Sequence, residues 1–176
     1  MKEMILLILG FVLINNYALS AGLGLVPLLG FSSQRGRILT LGLSVTVVTL
    51  LVSVLLWLLR GVIPAYFTIL AAVVLVLVIL YLLQLVCGKK LGLFFPLIAL
   101  NSAVLGVALN VAEAETIGSV IASALGVGLG FLFGLFLFAG LQNRIEPEHL
   151  PKAFRGFPIQ ILAAAIVALA LTAFQF

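Results

Sequence analysis

Aspartate is absent from this chain of 176 residues, and histidine and cysteine occur once each, as His149 and Cys87. Each scarcity removes a class of chemistry. One cysteine forbids an internal disulfide, and no CxxC or Cys/His set exists for a structural metal. One histidine without aspartate cannot complete a Ser–His–Asp triad. Charge is scarce too: Asp, Glu, Lys and Arg make up 8% of the residues, against about 25% in a soluble domain. That is too little polar surface to cover a water-soluble globule. Nine basic residues against five acidic ones give a net charge of +4. The basic residues are scattered over short loops, so they form no face for nucleic acid and read as membrane orientation signals.

What is abundant is apolar sequence: 65% of the residues are hydrophobic and the mean hydropathy is +1.43. About 20 apolar residues cross a bilayer core as helix. Six stretches qualify, at about 4–31, 38–59, 63–86, 91–111, 117–141 and 158–174. The expected fold is an all-α integral membrane protein of six transmembrane helices in one domain, 1–176. The linkers are short. The longest, "QNRIEPEHLPKAFRGF", has sixteen residues and holds Pro147, Pro151 and Gly156, which keep it from continuing as helix. The start "MKE" has no net basic side-chain charge, and apolar sequence resumes at once after "ALSA". It reads as a first span rather than a cleaved leader.

Alternating the loops across the membrane places Arg35, Arg37, Lys89, Lys90, Arg144, Lys152 and Arg155 on one side and Lys2 and Arg60 on the other. The positive-inside rule puts the seven in the cytoplasm and both termini outside. Trp57, Tyr66 and Phe67 then fall at outer span ends as interfacial anchors, whereas Tyr17 sits near the middle of span one.

Two spans are interrupted. In "INNYALSAGLGLVPLLGF", Asn15, Asn16 and Ser20 are polar at membrane depth, and Gly22, Gly24 and Pro27 weaken a helix. In "PLIALNSAVLGVALN", Pro96, Asn101, Ser102, Gly106 and Asn110 do the same in span four. Asn15 and Asn16 precede Asn101 by 86 and 85 residues, about half the chain. Each half, about 1–87 and 91–176, opens with a broken span and continues with two cleaner ones. Three spans per half force the second half to enter from the opposite face. This is the pattern of an inverted repeat, with the functional site at the two breaks near the midplane. The alternative is that Gly and Pro are simply common in membrane helices.

The same residues resemble the RnfA/NqrE family of membrane subunits. "INNYALSAGLGLVPLLGFS", "FPLIALNSAVLGVALN" and "LPKAFRGFPIQILAAAIVALALTAF" are similar to that family's first span, fourth span, and last loop and span. The resemblance implies a subunit of an Rnf or Na⁺-translocating NADH:quinone reductase complex in a bacterial or archaeal inner membrane, coupling electron transfer to Na⁺ or H⁺ movement. It implies pairing with a homologous RnfE/NqrD-like sister of opposite topology, and flavins and iron–sulfur centres in partner subunits. It also implies a [2Fe–2S] centre inside the membrane, shared with the sister through two cysteines from each. This sequence departs there. The family's "GLCP" reads "GLVP", placing Val26 at the first ligand position, and "NCAVLG" reads "NSAVLG", placing Ser102 at the second. Such clusters are held by cysteine thiolates. Valine has no donor atom and serine holds its proton, so no cofactor is expected on this chain alone.

Other features carry plainer readings. Ala122, Gly126, Gly130 and Gly134 recur every fourth residue on span five and mark close helix packing. Glu113 and Glu115 are loop charges that could also attract cations. No Asp, Glu, Lys or Arg lies at mid-depth, which argues against a proton relay within this chain. A Na⁺ path would use backbone carbonyls and polar side chains at the breaks, such as Asn15, Asn16, Asn101 and Ser102, unless these amides only cap broken helices or bridge to a sister subunit. The chain is not expected to be catalytic alone. The competing class is an independent inverted-repeat transporter or channel.

Overall fold

The computed structural model describes residues 2–14, 16–17, 35–87, 95–112, 114–142, 144–145 and 151–172. It is all-helical, with no strand among the described residues. Helix α1 (Lys2–Leu9) runs into a π-helical turn, Gly10–Ile14. Then follow α2 (Arg35–Leu59), α3 (Thr68–Cys87), α4 (Phe95–Ala99), α5 (Ser102–Ala112), α6 (Ile117–Gln142) and α7 (Phe157–Thr172). Among the described residues, three stretches are long and apolar enough to cross a membrane: Ile38–Leu59, Ala65–Val86 and Ile117–Leu141. Met4–Leu13, Phe95–Val111 and Phe157–Ala170 are shorter apolar helices.

The long helices follow from uninterrupted apolar sequence. Their ends follow from chain chemistry. After α2 the Val62 and Ile63 N–H groups both donate to the Leu59 carbonyl, at 2.9 and 3.0 Å, and Pro64 blocks further helix. Thr116 caps α6: its Oγ1 accepts from the Ser119 N–H at 3.3 Å.

The core lies between α2 and α6, which form the central pair. Small residues bring the two axes close. A Cβ added to Gly128 would come within 2.7 Å of the Thr46 Cα, and one added to Gly42 would collide with the Leu132 side chain. Around this pair, α1 and the π turn pack on α6, whereas α4 and α5 pack on α2. One cluster joins Val45, Val48 and Val52 of α2 to Val76 and Leu80 of α3 and Val104 and Ala108 of α5. A second joins Val107 and Val111 of α5 to Val120, Ala124 and Val127 of α6.

Two connections share one backbone device. Pro64 (φ −60°, ψ 147°) precedes the 3-10 turn Ala65–Phe67, and Pro151 (φ −54°, ψ 142°) precedes the 3-10 turn Lys152–Phe154. Each turn is closed by its phenylalanine N–H donating to the proline carbonyl at 2.9 Å. "PAYF" and "PKAF" are 87 residues apart. The first runs directly into α3. The second is followed by extended Arg155 and by Gly156 at φ +85°, a conformation glycine tolerates and other residues rarely adopt.

Candidate functional site

The second interruption expected from sequence is visible at Asn101, and of the residues expected to break the first only Asn16 lies among the described residues. At the first, regular helix ends at Leu9, widens into the π turn and stops before Asn16 and Tyr17. A π turn leaves amide and carbonyl pairing out of register, and such turns are frequent at functional sites. Asn16 is fully buried. Its Nδ2 donates to the Val12 carbonyl and to the Gly130 carbonyl, both at 2.9 Å. The first bond closes the disturbed turn and the second fixes it to the middle of α6.

Glycines on α6 make that approach feasible. A Cβ on Gly130 would lie 2.8 Å from the Phe11 carbonyl oxygen and 3.2 Å from Asn16 Nδ2. One on Gly126 would lie 2.8 Å from Phe11 Cβ and 3.2 Å from the Ile8 Cα. Ala122 and Gly134 are buried on the same helix.

At the second interruption α4 ends with Asn101 N–H on the Ile98 carbonyl at 3.2 Å. Asn101 then caps α5. Its Oδ1 accepts from the Ala103 N–H at 3.0 Å, and its backbone carbonyl accepts from Val104 at 3.1 Å. An asparagine offers the backbone this local alternative to continuous helix, which is why the chain breaks here. Asn101 is fully buried, and its Nδ2 has no partner among the described residues; Ser53 Oγ on α2 shares that condition. Pro96 sits in the first turn of α4, where its missing N–H costs nothing. Gly106 and Asn110 lie inside the continuous α5.

Polar contacts tie the two interruptions together. Asn110 Nδ2 donates to the Tyr17 hydroxyl and to the Gly106 carbonyl, the latter at 3.2 Å. Tyr17 packs edge-on to Phe11, with ring centroids 5.6 Å apart. Beyond α5, the Ala114 carbonyl accepts from Trp57 Nε1 at 3.1 Å and from Arg60 at 2.6 Å. The Arg60 guanidinium lies 4.6 Å from the Trp57 ring centre. Asn101 stands one 11-residue helix away from this latch, roughly 16 Å. Thr46 and Thr49 turn their hydroxyls back onto α2, at 2.8 Å from the Gly42 carbonyl and 2.7 Å from the Val45 carbonyl.

The Tyr17–Asn110 contact was not legible in the sequence. Tyr17 looked misplaced for an interfacial anchor, and nothing local names Asn110 as its partner. The Gly42–Gly128 crossing has a signal: the two glycines are separated by 86 residues, as are Asn15 and Asn101. Asn15, Gly22, Gly24, Val26 and Pro27, together with Glu113 and His149, lie outside the described residues.

A family model described as "Rnf-Nqr subunit, membrane protein" matches residues 4–176. The chain belongs to the Rnf-Nqr membrane subunit family. It is 37% identical to the A-type subunit of the ion-translocating oxidoreductase complex of Syntrophotalea carbinolica, over 99% of this chain and 97% of that one. It is 35% identical to the A-type subunit of the Na⁺-translocating ferredoxin:NAD⁺ oxidoreductase complex of Acetobacterium woodii, over 98% and 96%. A similar A-type protein from an Azoarcus species is 36% identical over 99% and 97%.

Within this Rnf-Nqr chain the residues do not fit an iron–sulfur centre. Ser102, the first residue of α5, is half-buried and keeps a contact within the chain. It presents a hydroxyl where a thiolate is needed. The one cysteine, Cys87, closes α3, on a different helix. No group of three or more His, Cys, Asp or Glu able to hold a metal occurs among the described residues.

Proposed function

We propose that this Rnf-Nqr chain is the A-type membrane subunit of an ion-translocating, electron-transferring complex. The observation that carries this is full-length likeness. Relatives named as the A-type component of such complexes align at 35–37% identity over 96–97% of their own length. The buried asparagine layer supports a role in the complex rather than chemistry on this chain. The amides at Asn16 and Asn101 hold helix ends, and no carboxylate is available at that depth. A hard cation moving past the chain would meet amide and freed backbone oxygens.

The reading includes two inverted three-helix halves. Its support is reciprocal packing. Adding 86 turns Gly42 and Thr46 into Gly128 and Leu132, and these residues face each other crosswise, Gly42 to Leu132 and Gly128 to Thr46. A two-fold relation requires this exchange. The paired Pro-x-x-Phe turns, and the packing of each broken segment on the other half's long helix, point the same way. Charge favours both termini outside.

The sister subunit of opposite topology would cover outward apolar faces of α1 and α7, where Ile5, Leu6 and Leu9, and Ile161, Leu162 and Ile166, are exposed. The chain supplies no thiolate to an intramembrane cluster, so any such centre, like the flavins, is held by partners.

Purification of the tagged chain from native membranes in mild detergent tests this. A homologous sister with flavin and iron–sulfur subunits is the expected set. Recovery of the chain alone, or with copies of itself only, would contradict it and leave a small transporter or channel.

A further inference from the structure

The two Pro-x-x-Phe elbows are alike in backbone and differ in charge. Phe67 and Phe154, at equivalent places, are each 48% exposed. Beside Phe67 stand exposed Tyr66 and an apolar groove of about 450 Å³ lined by Leu59, Ile63, Pro64, Phe67 and Leu70, with others of α3. No charged residue occurs from 61 to 88, and the cation just before, Arg60, is held on Trp57 and Ala114. The second elbow carries Lys152 and Arg155 between exposed Pro151 and Phe157, and no acidic residue occurs from 151 to 176. Glu146 and Glu148, upstream in this loop, lie outside the described residues.

We infer that the Pro151–Phe157 elbow is a binding site for an anionic phospholipid of the membrane face that α7 enters. Phe154 and Phe157 enter the boundary between headgroups and acyl chains, as exposed aromatics beside a membrane helix do. Lys152 supplies the phosphate contact. Arg155, which also keeps a contact within the chain, adds a second positive charge. The extended Arg155 and left-handed Gly156 separate the basic turn from α7. That two-residue offset is missing from the uncharged elbow, where Thr68 continues directly as helix. Opposite charge explains the choice of lipid: each basic side chain near an anionic surface strengthens attachment about fivefold. The inference rests on the membrane reading above but not on which face is cytoplasmic.

The test is lipid retention. The full chain is purified from bilayer discs of phosphatidylcholine mixed with phosphatidylglycerol, and the bound lipids are quantified. Wild type should be enriched in phosphatidylglycerol. The double substitution Lys152→Gln, Arg155→Gln should lose that enrichment by at least about fivefold, Lys152→Arg should keep it, and Arg60→Gln should leave it unchanged. Size-exclusion profiles confirm that each variant is folded. Equal enrichment in the double variant, or none in wild type, would overturn the inference. So would a double variant that keeps its lipid and loses a co-purifying protein, because the elbow would then be a protein interface.

Discussion

Asn16 and Asn101 show how one residue type can do two different jobs at equivalent places. Asn16 spends both N–H groups on backbone carbonyls, one of them on α6. Replacing it by leucine removes both bonds, and with them the tie between the π turn and α6. Asn16→Leu should destabilise the purified chain by about 1–3 kcal/mol, read as a lowered thermal unfolding midpoint in detergent. Asn101 uses its oxygen as a cap but leaves its Nδ2 unpartnered among the described residues. Losing the cap costs about 1 kcal/mol, and removing a buried unpaired donor offsets much of that. Asn101→Leu should therefore change stability little. If the amide lies on the ion path, the variant should assemble normally and move fewer ions per electron in inverted membrane vesicles. Equal loss of assembly and coupling would make it a structural amide. The two asparagines were visible in the sequence because polar residues stand out in apolar spans. Their unequal satisfaction was not, since it depends on Gly130, 114 residues away in the chain.

At the scale of helices, the sequence shows where polar or proline residues interrupt a run and hides what happens within uniform ones. The second interruption was legible: Asn101 follows Pro96, and helix stops between them and resumes at Ser102. Gly106 and Asn110 looked like further weak points. They stay helical, because an interior glycine costs only about 1 kcal/mol and Asn110 returns its amide to the Gly106 carbonyl. The π turn in "GFVLI" gives no signal, as every residue there suits a regular apolar helix. The α2–α6 crossing was half legible: the four-residue spacing of small residues pointed to Gly126 and Gly130, but Gly128 faces α2 from another side of α6. Here a comparison of substitutions is informative. At Gly128 the obstacle is the Thr46 backbone, and at Gly42 it is the movable end of Leu132. Gly128→Ala should therefore cost more than Gly42→Ala, by about 1 kcal/mol or more, measured by thermal unfolding of the two variants side by side.

Over the whole molecule, membrane character followed from composition alone, and the family followed from three stretches of sequence that the full-length likeness to A-type relatives supports. The number of spans is a finer matter. Six apolar runs are present in the sequence, and among the described residues three helices are long and apolar enough to cross a membrane and three are shorter. The departure at Val26 and Ser102 separates family likeness from cofactor: the likeness runs the length of the chain, and ligation needs the sulfur these two residues lack.

The central structural claim is that the two halves face opposite sides of the membrane. The elbows offer the most direct measurement, because Tyr66 and Ala153 are exposed equivalents 87 residues apart. In a background with Cys87→Ser, the single substitutions Tyr66→Cys and Ala153→Cys are treated with a membrane-impermeant maleimide in intact cells and in inverted vesicles. The account predicts labelling at 66 from outside and at 153 only from the cytoplasmic face. Labelling of both positions from the same face would contradict it.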